Sequence, residues 1–269
     1  MRALHQFHDG APKILDDPVS ARLLGEERTR TILSRMGNAD DPARKAMRAH
    51  VLLRSRFAEE RLESAVRRGV VQAVALGAGL DTFAYRQPPW AGRLRLFEVD
   101  QPASQDEKRR FLEQAGIGVP ANVRFVPIDF ETTSLAQGLA AGGVDFAVPT
   151  FFSCLGVMTY LTREAIDAIF RVVAGFPAGS EIAFSYRPAG RPPGSVFAAS
   201  VRAVGEPWIS ELEPDALARD LRAMGFEGIE ELRAEEADRR YFAGRADGLR
   251  PPASRSIAAA IVGGGTALR

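Results

Sequence analysis

The chain has 269 residues, 46% of them hydrophobic and 26% charged, and its 35 basic and 34 acidic residues leave a formal net charge of +1. That composition is too apolar for a disordered chain, and the charge balance calls for no nucleic-acid, membrane-surface or polyanionic partner. The single cysteine, Cys154, allows no internal disulfide and fits a cytoplasmic setting, while residues 1–10 do not read as a signal peptide and no apolar run approaches the roughly 18 residues of a spanning helix.

Residues 1–69 read as helical. A short helix is expected over 18–24, after Asp16-Asp17. Asp41-Pro42 marks a longer one, with Asp41 as N-cap and proline at the first helical position. Met47, Val51, Leu52, Phe57, Leu62 and Val66 follow at mostly helical spacing, up to Gly69. From Val70 the period changes. Residues 70–76 are a short apolar run ending in Gly77-Ala78-Gly79, the pattern of a buried parallel strand entering a glycine turn. Further strands are expected at 94–99, 123–128, 145–153 and 181–186. Helices are expected between them at 103–114, 134–140 and 163–173, the last capped by Thr162. Strands alternating with helices predict an α/β fold with a doubly wound, mostly parallel sheet. Residues 188–196, rich in proline and glycine, break the pattern and are a candidate lid. Glu213-Pro214 opens a helix to Met224 that Gly225 closes, and 229–232 and 241–242 are two more strand candidates. The tail from Gly263 to Thr266 reads as flexible. The expected organisation is a helical extension, 1–69, in front of a Rossmann-like domain, 70–269, together one structural unit.

Gly77 and Gly79 let the backbone turn tightly and approach a ligand. The dinucleotide fingerprint wants a third glycine or alanine where Thr82 stands, which weakens a nicotinamide or flavin reading and leaves a cofactor without a pyrophosphate. The next strand carries Glu98 and Asp100 at its C-terminal end. A carboxylate there accepts both ribose hydroxyls, or caps the following helix. Asp129-Phe130, after the third strand, suit an adenine edge and face, or a plain helix cap.

Leu76-Gly77-Ala78-Gly79-Leu80-Asp81-Thr82 and Phe97-Glu98-Val99-Asp100-Gln101-Pro102 strongly resemble the leucine carboxyl methyltransferase-like family of S-adenosylmethionine-dependent O-methyltransferases. The resemblance extends to Asp16-Asp17-Pro18, Arg54-Ser55-Arg56-Phe57, Tyr160-Leu161-Thr162, Arg240-Tyr241-Phe242 and residues 244–249. It implies a class I methyltransferase fold with an N-terminal helical extension, and S-adenosylmethionine as cofactor. By the same resemblance Arg54 pairs with the methionine carboxylate, which a guanidinium fork fits. Gly77 and Gly79 form the cofactor turn, Asp100 is the ribose carboxylate, Asp129 and Phe130 lie at the adenine edge, and Ala78, Gln101 and Ser153 are further cofactor-binding candidates. Arg2 is a further candidate contact. The sequence departs from the family pattern in one place. Many members carry an Ala-Glu dipeptide at the end of the fourth strand, where this chain has Phe151-Phe152-Ser153-Cys154, with no carboxylate.

The expected activity is methyl transfer to a carboxylate or hydroxyl of a small molecule. An ionised carboxylate acceptor needs no base, whereas a hydroxyl usually needs a base or a metal. His5 and His8, one helical turn apart, lack further partners for a metal site, and a frayed or loop-packed N-terminus explains them. His50 reads as a surface or core filler and Cys154 as a small buried hydrophobe. Tyr160, Tyr186 and Trp208 either face the acceptor or pack. Two alternatives stand beside this reading: a cofactor-binding protein of the same fold with altered or no methyl transfer, and a nicotinamide oxidoreductase.

Overall fold

The computed structural model describes residues 1–36, 38–129, 132–190, 209–252 and 255–264. Four helices open the chain: α1 (Arg2–His8), α2 (Pro18–Leu24), α3 (Glu26–Met36) and α4 (Pro42–Arg67). The caps read in the sequence are present. The Asp17 side chain accepts from Ser20 N–H and the Asp41 side chain from Ala43 and Arg44 N–H, each ahead of a proline whose missing donor costs the helix nothing.

After α4 come β1 (Gln72–Leu76), β2 (Arg95–Asp100), α5 (Pro102–Gln114), β3 (Val123–Pro127), α6 (Leu135–Ala141), β4 (Thr150–Cys154), α7 (Arg163–Ala174) and β5 (Glu181–Tyr186). The chain then continues through α8 (Pro214–Ala223), β6 (Phe226–Glu231), α9 (Ala234–Ala237) and β7 (Ser256–Val262). One seven-stranded sheet runs in the order β3-β2-β1-β4-β5-β7-β6. All pairs are parallel except those that β7 makes with β5 and β6. The doubly wound, mostly parallel sheet expected from the alternation is therefore present.

Side chains alternate between the two faces, as strand geometry requires. Phe152, Phe184 and Ala260 point to the face covered by α6, α7 and α8, while Phe151, Ala183 and Ala259 meet Leu52, Phe57 and Leu62 of α4 on the other. Phe57 and Phe152 are wholly buried, and each contributes roughly 1.5–3 kcal/mol by leaving water.

One expectation is corrected, and one unexpected strand is present. Tyr241 and Phe242 are not a strand; they end a π-helical turn, Asp238–Phe242, that continues α9. The strand that fills this part of the sheet is β7, whose alanine-rich Ser-Ile-Ala-Ala-Ala-Ile-Val carries weak strand signal. Of the two readings of the start of the chain, frayed or loop-packed, the second holds for His5: α1 is helical, and the completely buried ring meets the loop that follows it. Ile14 N–H donates to His5 Nε2 at 3.1 Å, so the ring proton lies on Nδ1 and is donated to Asp9 Oδ2 at 2.8 Å. Arg48 of α4 grips the same carboxylate through two 2.7 Å hydrogen bonds. This buried ion pair fixes α1 against α4. Most of the candidate lid (from residue 191 on), Trp208 and the Gly265-Thr266 end of the tail lie outside the described residues. No helix among the described residues is long and apolar enough to cross a membrane.

Candidate functional site

Strand order reverses direction at β1, which has β2 on one side and β4 on the other. A crevice therefore opens at the C-terminal ends of these strands. Gly77 and Gly79 turn there with φ of +66° and +43°. A Cβ on Gly77 would fall 2.3 Å from Val157 Cγ2, whereas one on Gly79 would meet nothing within 4 Å. Gly77 is thus required by packing, and Gly79 leaves bare backbone facing open space. The cavity beyond the turn measures about 360 Å³ and is lined by Arg2, Arg54, the 77–81 turn, Ser153 and the Gly156-Val157 loop. That volume suits a small-molecule ligand.

Asp100, at the end of β2, accepts from Gly79 N–H at 2.6 Å and from Gln101 N–H at 2.8 Å. It shapes the turn and still keeps a free lone pair on each oxygen. Glu98, the neighbouring acid, is committed elsewhere. It is buried, accepts from the Tyr85 hydroxyl at 2.9 Å and lies 2.8 Å from Lys108 Nζ. Burial raises its pKa despite Lys108 and Tyr85. Thr82, the residue that breaks the dinucleotide fingerprint, donates its hydroxyl to the wholly buried Asp17 at 2.7 Å. The Asp16-Asp17-Pro18 motif therefore braces the far side of the glycine turn. Gln101 caps α5 from the exposed side, and Asp129 ends the strand region after β3. Phe130 lies outside the described residues.

Arg54 projects from α4 into the cavity. Among the described residues its guanidinium makes no hydrogen bond or ion pair. Gly156, at φ +79°, makes room for it, since a Cβ there would sit 2.2 Å from Arg54 Nη1. Burial, with Arg2 and Arg255 close by, lowers the Arg54 pKa to about 10 against the opposing pull of Asp81 and Tyr160. Asp81 lines the same cavity and was not among the sequence candidates. Burial would raise its pKa, but Arg2, Lys108, the Phe83 N–H and Arg86 bring it down to about 2. Arg2 reaches it from α1 with a 2.8 Å hydrogen bond.

His50 lies one helical turn before Arg54 and is a core residue. Burial, Arg54 and Arg255 hold its pKa well below the ordinary histidine value, so the ring is neutral. Tyr186 is buried and donates to Glu231 at 2.9 Å, which assigns it to packing. Tyr160 is half-buried and acts electrostatically on both Arg54 and Arg255. Cys154 is fully buried, and burial pushes its thiol up to about 12, so it is no nucleophile. Of the sequence candidates, Arg54, Gly77, Ala78, Gly79 and Ser153 share the cavity. Asp100 touches it through Gly79 N–H. The structure does not bring Gln101 or Asp129 to that lining.

The sequence profile of the family described as leucine carboxyl methyltransferase matches residues 1–174. YktD of Bacillus subtilis (strain 168), provisionally named an S-adenosyl-L-methionine-dependent methyltransferase, is 34% identical over 206 residues, covering 69% of this chain and 67% of that protein. A protein of Mycobacterium marinum with the same provisional name is 34% identical over 185 residues, covering 66% of this chain and 61% of its own length. The chain thus spans about three fifths to two thirds of these relatives. Among solved structures, a DUF574 family protein from Streptomyces avermitilis matches with a TM-score of 0.60 at 20% identity, covering 91% of this chain and 97% of that one. At that identity the likeness speaks for the fold alone.

Proposed function

The chain belongs to the leucine carboxyl methyltransferase family, and on that premise we propose that it transfers a methyl group from S-adenosylmethionine to an oxygen, carboxylate or hydroxyl, of a small-molecule acceptor. Family membership sets the nicotinamide alternative aside. The observation that carries the reading is Arg54: a guanidinium facing a 360 Å³ cavity beside a glycine turn, making no hydrogen bond or ion pair among the described residues.

The residues fit the cofactor. Arg54 would hold its carboxylate through a planar fork. The spare lone pairs of Asp100 would accept the two ribose hydroxyls, and the bare backbone at Gly79 admits the sugar closely. Asp129, with Phe130 after it, is the candidate for the adenine amine. When bound, the cofactor supplies a methyl group already activated on a sulfonium. The protein's part is then to align an acceptor oxygen and exclude water. Arg255, whose pKa burial and Arg187 lower to about 10, interacts electrostatically with both Arg54 and Tyr160. The positive potential of Arg2, Arg54 and Arg255 favours an ionised oxygen, which needs no base at neutral pH. A cytoplasmic location and a small-molecule partner accord with this reading.

Calorimetric titration with S-adenosylhomocysteine tests the cofactor, with micromolar binding expected. Incubation of small carboxylic acids and alcohols with methyl-labelled S-adenosylmethionine tests the transfer. A carboxylate product releases labelled methanol in mild alkali, and an ether does not. Binding without any labelled product across the panel favours the second reading, a cofactor-binding protein of altered chemistry, which the serine at position 153 keeps in view.

A further inference from the structure

Two oppositely charged side chains face the same cavity without pairing with each other. Arg54 comes from α4 and Asp81 from the turn after β1, and both line the space beyond Gly77 and Gly79. They sense each other electrostatically, but among the described residues they form no ion pair. Asp81 is the only carboxylate among the described residues lining that cavity. Its oxygens accept from Phe83 N–H at 2.8 Å and from Arg2 Nη1 at 2.8 Å. A carboxylate has about four acceptor positions, so each oxygen keeps one. Its side chain is 27% exposed, which leaves it open to the cavity. Surrounding cations keep Asp81 charged at any physiological pH.

A cation and an anion that line one cavity without pairing suit a zwitterion. The methionine end of the proposed cofactor is one, with an ammonium and a carboxylate on a single carbon. We infer that Arg54 and Asp81 form a two-point clamp for an α-amino acid end, with Asp81 accepting the ammonium that Arg54 cannot hold. This rests on the proposed function above and adds a binding residue to it. Arg2 is the positioning residue. It fixes the Asp81 carboxylate and ties α1 to the clamp, its Nε lying 3.4 Å from Asp17 as well.

Three ligands separate the claims by calorimetry on the whole 269-residue chain: S-adenosylhomocysteine, its analogue without the α-amino group, and 5′-methylthioadenosine, which lacks the amino acid end. The wild type is expected to bind the first at least tenfold more tightly than the second. Asp81→Asn should weaken the first by about 10–100-fold, the worth of one charge-assisted hydrogen bond, and leave the other two within about twofold. Arg2→Met should weaken the first less than Asp81→Asn does, and spare 5′-methylthioadenosine. Unchanged 5′-methylthioadenosine binding certifies that each variant is folded. Equal wild-type affinity for the first two ligands, a comparison that needs no variant, overturns the clamp. So does an Asp81→Asn variant that weakens both alike. Failure of the wild type to bind S-adenosylhomocysteine at all would instead remove the proposed function on which the clamp rests.

Discussion

Arg54 carries a cost in the unliganded protein that a bound anion would offset. Its guanidinium is partly withdrawn from water and forms no ion pair among the described residues, with Asp81 and Tyr160 only partly offsetting its burial. Its pKa in the fold, about 10, lies below the ordinary 12.5, so the fold disfavours the charged form. For a base shifted in that direction the destabilisation is fully present below pH 10 and relieved above it. At pH 7.5 Arg54→Met should therefore raise the melting temperature of the ligand-free protein, by about 2–4 °C if the gain is on the order of 1 kcal/mol. The same variant should lose most of its affinity for S-adenosylhomocysteine. A scanning calorimetry trace in which the ligand-free variant melts below wild type would show that Arg54 is a structural residue. Residue type alone made Arg54 legible only through the family resemblance, because α4 is rich in arginines and most such side chains are solvated. Asp81 sits inside the glycine motif and carries no signal of its own in the sequence. Thr82 looked like a defect in a fingerprint. Its hydroxyl bond to Asp17, 65 positions away, is invisible to local pattern.

At the scale of elements, the opening helices are fastened by carboxylates whose pKa values the fold depresses. Burial alone would raise Asp9, but hydrogen bonds from His5 and Arg48 outweigh it and the net shift is downward. Asp81 and Asp247 are both held at about 2; Asp247 accepts from Gly10 N–H at 3.0 Å and pairs with Arg245. A depressed carboxylate contributes stability that is present above the unfolded value near 4 and lost as pH falls through the folded value. The three sites share one segment, so acid should release residues 1–24 before the sheet opens. Hydrogen exchange followed from pH 5 to pH 2.5 checks this: amides of α1 and α2 should lose protection first, while β1, β4 and β5 remain protected. Simultaneous loss in both regions would contradict it. Helices with proline and aspartate starts and strands ending in glycine were readable in the chain because those signals are local. β7 was not. Its run of alanines favours helix in isolation, and it is a strand only because the space between β5 and β6, with α4 above, admits small side chains. The Tyr241-Phe242 pair erred the other way, since two aromatic residues carry strand propensity that a packed π-turn overrode.

Across the whole molecule, the cavity joins parts of the chain that have little else in common. The turn after β1 and the loop after β4 follow from strand order, which is why those candidates could be named from sequence. Arg2 and Arg54 arrive by a different route. They come from helices whose mutual docking depends on the buried His5–Asp9–Arg48 contacts, a long-range fact that periodicity does not encode. A ligand spanning the clamp should therefore tie α1 and α4 to the sheet, whereas one occupying only the nucleoside half should not. Hydrogen exchange at neutral pH distinguishes the two, with each ligand held at about 100 times its dissociation constant so that global stabilisation, about 2.7 kcal/mol, is the same. S-adenosylhomocysteine should slow exchange in α1, around Arg54 and in the 77–83 turn. 5′-Methylthioadenosine should slow it in the turn and at the end of β2, leaving α1 as mobile as in the free protein. Identical protection maps would mean that the N-terminal helices are indifferent to the amino acid end, and that Arg2 and Arg54 serve packing rather than the ligand.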